Sequence, residues 1–190
     1  MSCSGCGNKP KAMGYYKPLS LETPPFNASD IMVLDEQKEI RKLNTDDWKT
    51  NRHKLILFFP ETHTPVCQSE LGALPNWIEA FDEQNTDVFV ATTDNINQIK
   101  DWYDSEEALS SVNYKSISSY LLPTRLNLLN NGRVKRASVF IFTDGNIVIQ
   151  EHPMKVGRSL AELHRTIFAY NTDSFCSEGW TNPSDGFLTE

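Results

Sequence analysis

The chain has 190 residues, 39% of them hydrophobic and 23% charged, and a formal net charge of −7. That length suits one domain of about 100–200 residues, able to bury a core without disulfide staples or a structural metal. The acidic balance argues against nucleic acid or an anionic membrane as partner, and no uninterrupted apolar run approaches the span of a bilayer.

Residues 1–24 are rich in Gly, Ser, Lys and Pro, show no period and read as a flexible arm. Their start, "MSCSGCGNKPKAMG", has no apolar centre and does not read as a secretory signal. The expectation is therefore a reducing, cytoplasmic compartment, where cysteines are more often reactive or metal-bound than structural. Patterned sequence runs over 25–170, and 171–190 form a tail of turn formers.

Within the patterned region, "IMVLDEQKEIRKL" (31–43) reads as a hairpin with a polar tip. "KLILFF" (54–59), "DVFVATT" (87–93) and "ASVFIF" (137–142) are apolar runs of strand length, as expected of strands covered on both faces. "TDGN" (143–146) is a turn that makes a hairpin of "VFIF" and "IVIQ".

Helices alternate with these strands. Leu71, Leu74, Ile78 and Phe81 keep helical spacing, as do Ile96, Ile99 and Tyr103 behind an Asp94 N-cap. Ser159 and Glu162 have capping-box spacing ahead of Leu160, Leu163 and Ile167. Pro75 disfavours helix at Leu74, which predicts a short helical turn after Cys67, a break, and a longer helix from Pro75. The element order predicts an α/β domain whose mixed central sheet carries helices on both faces.

Cys67 falls where the strand at 54–59 gives way to a helix. A cysteine in a first helical turn meets unpaired N–H groups and the positive end of the helix dipole, which favour the nucleophilic thiolate. Position alone leaves two readings, a reactive sulfur or an inert buried one. The neighbouring letters separate them. Pro60-x-x-x-Thr64-x-x-Cys67 matches the Pro-x-x-x-Thr-x-x-Cys motif of the peroxiredoxins, and "TPVCQSELG" extends it with Glu70. "KRASVFIFTDGNIVIQ" resembles the family's arginine-then-strand segment and supplies Arg136. "KVGRSLAEL" resembles its Val-Gly-Arg-Ser helix entry and supplies Arg158. "FCSEGW" (175–180) is similar to the sequence around the second cysteine of the typical two-cysteine (alkyl hydroperoxide reductase, thiol-specific antioxidant) class.

The resemblance implies a thioredoxin-like fold and a thiol peroxidase with no cofactor. Cys67 would attack a hydroperoxide; Arg136, the Thr64 hydroxyl and the Cys67 N–H would receive the charge leaving with the oxygen. Pro60 would stiffen the approach, and Arg158 would orient Glu70. Cys176 would resolve the sulfenic acid to a disulfide across a homodimer, or a ring of dimers, and thioredoxin or another dithiol would recycle it. Two alternatives stay open: a one-cysteine peroxidase, and a chaperone-like assembly that has lost peroxide turnover.

Some letters depart from the pattern. Gln68 stands where many relatives carry proline, and His63 where an aromatic or aliphatic residue is usual, so that it either tunes the site or faces solvent. The Gly-Gly-Leu-Gly insertion and the C-terminal Tyr-Phe helix of overoxidation-sensitive members are missing. Less structure is therefore expected to hold the site closed, and resolution to outrun sulfinic acid formation. Cys3 and Cys6 form a C-x-x-C pair without the four ligands that zinc wants, so no metal site is expected and the pair reads as accessory. A Cys67–His63 hydrolase lacks an orienting third group.

Overall fold

Complete burial of His53–Phe58 requires cover on both faces, and this strand is an interior one, fifth in the order of a seven-stranded sheet. The computed structural model describes residues 31–48, 51–172, 177 and 179–180. The arm at 1–24, Cys3, Cys6 and Cys176 lie outside the described residues.

The sheet is built from β1 (Met32–Leu34), β2 (Ile40–Lys42), β3 (His53–Phe58), β4 (Thr86–Thr92), β5 (Lys115–Ser118), β8 (Ala137–Ile141) and β9 (Ile147–Glu151), in the order β2-β1-β5-β4-β3-β8-β9. β3, β4 and β5 are parallel, and every other pairing is antiparallel. A separate small hairpin joins β6 (Leu129–Asn130) to β7 (Arg133–Val134). The predicted hairpins at 31–43 and around 143–146 are both present.

Alternation along the strands divides the core in two. Leu55, Leu57, Phe59, Val90 and Phe140 pack with residues of α1 (Pro65–Ala73), α2 (Ile78–Glu83), α3 (Ile96–Ser105) and α5 (Leu160–Thr172). Ile56, Phe58, Phe89, Val139 and Ile117 pack on the other side with Leu122 and Leu126, at α4 (Leu121–Arg125), and with Leu128 and Val134. The sheet is mixed with helices on both faces, as predicted.

Three local expectations differ. Cys67 lies within a nine-residue helix that starts at Pro65, followed by a 3-10 turn at Leu74–Trp77 containing Pro75 and then a six-residue helix. The break falls where Pro75 dictates, but the longer helix precedes it. Pro65 starts α1 without needing an N–H, while Asn85, at φ 52°, stops α2 early. The cap of α3 is Asn95, not Asp94: its side chain accepts from Asn97 N–H at 2.9 Å, and Gln98 Oε1 accepts from Asn95 N–H at 3.1 Å. At α5, Ser159 Oγ accepts from Glu162 N–H at 3.2 Å, but the Glu162 carboxylate turns to Arg165 rather than completing the box. Strand β5 was not foreseen. Its "KSIS" is short and serine-rich, and its pairing to β1 and β4 makes it a strand.

Candidate active site

Beyond β3 the chain turns through 59–64 into α1. Phe59 N–H still bonds the Ala91 carbonyl at 3.0 Å, and Pro60 is buried behind it. Thr64 is the extended N-cap residue and Pro65 opens the helix, which puts Cys67 in its first turn. The Gln68 N–H donates to the Thr64 carbonyl at 2.9 Å, a bond that proline at position 68 could not make. Asp94 braces this loop, accepting from Thr62 N–H at 2.7 Å. His63 has φ 55°, a conformation costly for a non-glycine residue, and is exposed with its ring 5.7 Å from that of Trp102.

Cys67 is 0% exposed. Arg136 Nη2 donates to its Sγ at 3.3 Å and to the Met154 carbonyl at 3.4 Å, while Nη1 donates to Glu70 Oε2. Glu70, three residues after Cys67, lies on the same helix face. Arg158 holds that carboxylate from the other side. Its backbone N–H and Nε (3.0 Å) donate to Oε1 and its Nη2 to Oε2 at 3.1 Å. Arg158 Nη1 ties the group to the sheet through the carbonyls of Phe58 (3.1 Å) and Ala137 (2.9 Å).

Glu70, Arg136 and Arg158 are all buried. One carboxylate between two guanidiniums leaves a surplus positive charge, and the sulfur is the group it faces. Burial pulls Arg158 below its ordinary range, and Glu70 opposes that pull. Nearby His152 is also held low, first by burial and then by Arg158 and Arg136, against the pull of Glu70. Burial pushes Tyr103 up to about 12 and Tyr114 well above its usual value. Such a site can support negative charge developing at or beside the sulfur while excluding water.

Of the residues singled out from sequence, Cys67, Glu70, Arg136 and Arg158 come together. Thr64 adjoins them, but its hydroxyl donates to the Glu61 carbonyl at 3.2 Å rather than to Sγ. Sequence reasoning missed Asp94 as the loop brace and Tyr114, whose hydroxyl donates to the Leu71 carbonyl of α1 at 3.0 Å. A signal for the second existed: Pro75 has no N–H for that carbonyl, which therefore needed another donor. Among the described residues, no group of three or more His, Cys, Asp or Glu could hold a metal ion, and no helix is long and apolar enough to cross a membrane.

Residues 22–150 match the AhpC/TSA family. The chain is 30% identical over 136 residues to alkyl hydroperoxide reductase C of Ferdinandcohnia aciditolerans, covering 66% of this chain and 81% of that protein. It is 29% identical over 136 residues to the 1-Cys peroxiredoxin PER1 of Arabidopsis thaliana, covering 66% of this chain but only 62% of the relative. Among solved structures, the reduced 2-Cys peroxiredoxin of Plasmodium vivax superposes with a TM-score of 0.74 at 21% identity, over 83% of this chain and 86% of that one. At that identity the superposition speaks for the thioredoxin-like fold alone.

Proposed function

The chain belongs to the AhpC/TSA family and is a peroxiredoxin, a thiol peroxidase, and from that premise we propose that Cys67 is its peroxidatic cysteine and Cys176 of a second subunit its resolving one. The observation that carries the first assignment is the 3.3 Å bond from Arg136 to Sγ inside a buried, net-positive cluster.

The Cys67 thiolate attacks the terminal oxygen of a hydroperoxide. An S–O bond forms, the O–O bond breaks, and water or an alcohol leaves once its oxygen takes a proton. Arg136 steadies the departing oxygen through the fixed fork of its guanidinium. Arg158 and Glu70 keep the Arg136 fork aimed at the sulfur. Cys176 then attacks the sulfenic sulfur, a disulfide forms and water leaves. Thioredoxin, or another dithiol of a reducing cytoplasm, returns both thiols.

The "FCSEGW" motif supports the two-cysteine reading, and the outer edge of β9 supports the dimer. Among the described residues β9 pairs only with β8, and it shows Val148 at 37% exposure, with Met154 and Val156 exposed further along. An open edge with apolar side chains is a surface that a second subunit would cover. The likeness to a protein named for one cysteine keeps the alternative, in which Cys176 is not used and an external thiol resolves Cys67.

The test is peroxide consumption with a dithiol reductant and its reductase. Turnover is expected to vanish in Cys67→Ser, and persistence there would end the assignment. In Cys176→Ser the covalent dimer formed after one equivalent of hydrogen peroxide should disappear from a non-reducing gel. Full turnover of Cys176→Ser with small thiols would favour the one-cysteine reading.

A further inference from the structure

A side-chain amide that precedes glycine lies beside a peptide nitrogen with no side chain to shield it. That nitrogen can attack the amide carbon. A C–N bond forms, the C–Nδ2 bond breaks, and ammonia leaves with the proton that the peptide nitrogen gives up. Water then opens the cyclic imide at either carbonyl, giving aspartate or isoaspartate. Asn131 is the one asparagine of the chain that glycine follows.

The fold leaves Asn131 open to this reaction. Asn131 and Gly132 form the two-residue turn between β6 and β7, at φ 50° and 79°, the positive values that such turns favour. Both are exposed, and among the described residues the Asn131 amide has no hydrogen-bond partner. A Cβ on Gly132 would meet nothing within 4 Å beyond its chain neighbours. The ladder behind the turn has two pairs, Asn130 with Arg133 and Leu129 with Val134, and stands apart from the main sheet. So short a hairpin opens at its tip, which lets the nitrogen reach the side chain.

Two other turns show what closes the route. Asn127 is also exposed, at φ 55°, but the next nitrogen belongs to buried Leu128 and donates to the Pro123 carbonyl at 2.8 Å. Asp144 precedes Gly145, yet its carboxylate accepts from Asn146 N–H at 3.0 Å, from Asn146 Nδ2 at 2.6 Å and from the Tyr170 hydroxyl. Its turn is held between the five-residue strands β8 and β9.

We propose that Asn131 is a site of spontaneous deamidation, and that the carboxylate it gains acts on the active-site loop through Arg133. Arg133 closes the same turn and pairs with Glu61 at 3.3 Å. Glu61 follows Pro60 in the loop, and its carbonyl accepts from the Thr64 hydroxyl at 3.2 Å. A carboxylate at 131 competes with Glu61 for Arg133. Isoaspartate also lengthens the backbone of a turn whose length fixes the register. Arg133 acts through Glu61 and is a positioning residue. The effect on turnover rests on the peroxidase reading above, whereas the deamidation does not.

Incubation of the full chain at mildly alkaline pH favours loss of the peptide proton. Peptide mapping by mass spectrometry should then show NH2 replaced by OH at Asn131 before it appears at Asn127. A methyltransferase specific for the isoaspartate carboxyl reads out that product by label transfer. Asn131→Gly keeps a permitted turn and should remove the main acidic species from an isoelectric gel. Equal rates at Asn131 and Asn127, or persistence of that species in Asn131→Gly, would overturn the site.

Asn131→Asp stands in for the aspartate product. Its kcat/KM for hydrogen peroxide should fall about twofold, in keeping with the small worth of an exposed ion pair, and Arg133→Gln should do the same. Combining the two should cost nothing more, because both break one contact. No fall in Asn131→Asp, or a further fall in the double variant, would overturn the route through Arg133. Should Cys67 fail to react with peroxide, the effect on turnover fails with the functional reading, and peptide mapping alone decides the modification.

Discussion

Two ion clusters in this molecule are charge mirrors of one another. At the site, Glu70 stands between Arg136 and Arg158. At the β1–β2 hairpin, Arg41 stands between Asp35 (3.1 Å) and Asp47 (2.6 Å). The central side chain is 5% exposed in the first and 32% in the second, and that difference decides what each is worth. Near water, a broken pair is rehydrated and costs little. In the interior it leaves charges with no solvent to turn to. The buried cluster is therefore poor evidence for added stability and good evidence for function: a fold that held two guanidiniums inside only for packing would do as well with apolar side chains.

The largest effect should follow removal of the central buried charge. Glu70→Gln keeps the shape but strands Arg136 and Arg158, and we expect a loss of about 3–5 kcal/mol in urea unfolding together with loss of peroxidase activity. A variant as stable as the parent would mean that the two arginines find other partners or water, and the contrast between the clusters would collapse.

Next is Arg136→Lys, which keeps the charge and loses the fork. A lysine ammonium cannot bond Sγ and the Glu70 carboxylate in the fixed geometry of a guanidinium. kcat/KM for hydrogen peroxide should fall about a hundred- to a thousand-fold, the usual cost of losing a donor aimed at developing charge, with a far smaller change in unfolding midpoint. A rate near that of the parent would show that charge alone suffices.

Third is Arg41→Gln. Burial acts to raise Asp47, but the hydrogen bonds from Arg41 and the Asn44 N–H outweigh it and hold the carboxyl below its ordinary value. Asp35 is held low in the same way by the Glu39 N–H and Arg41. Groups so depressed contribute stability that is present above their unfolded values and lost as pH falls through the folded ones. The substitution should cost about 1 kcal/mol near neutral pH, flatten the acid limb of the stability profile below about pH 4, and leave peroxide turnover unchanged. A cost equal to that of Glu70→Gln would erase the distinction between the clusters.

How far these features could be read from the letters follows from what kind of constraint each obeys. The central strands were legible because "KLILFF" and "ASVFIF" carry enough apolar surface to declare themselves without partners. Cys67, Arg136 and Arg158 were singled out through the resemblance of their segments to peroxiredoxin motifs, in which residue type and local spacing go together. β5 was not, since "KSIS" is a strand only by virtue of β1 and β4 on either side. Nor was the choice of Asn95 over Asp94 as cap. Both residues can cap, and what settles it is the Thr62 N–H, 32 residues away, which claims Asp94. Tyr114 belongs to the same class. Pro75 marks the Leu71 carbonyl as short of a donor, but that the donor is a hydroxyl 39 residues further on is a pairing across elements that no local pattern contains.

The smallest effect is the one that reports most directly on the field of the buried cluster. His152 follows β9, its N–H donating to the Arg136 carbonyl at 2.8 Å and its Nε2 lying 3.0 Å from Ser138 Oγ. Burial comes first in holding its proton affinity down; Arg158 and Arg136 add to this and Glu70 opposes them. The unfolded chain takes up a proton near the ordinary value of 6.5, and the folded protein declines it until lower pH. The unfolded state therefore binds more protons between those two values. Stability is fully present above about pH 6.5, falls as the pH drops toward the folded value, and falls no further below it. His152→Asn retains a partner for Ser138 and cannot titrate, so the change in unfolding midpoint between about pH 7.5 and about pH 5.5 should be smaller than in the parent. Glu70→Gln provides the sharper version of the same measurement. With the opposing carboxylate gone, His152 faces two uncompensated guanidiniums, and the pH at which this loss begins to level off should move further down. If it moves up, or if His152→Asn leaves the profile as it was, the surplus positive charge assigned to the cluster does not reach the histidine beside it.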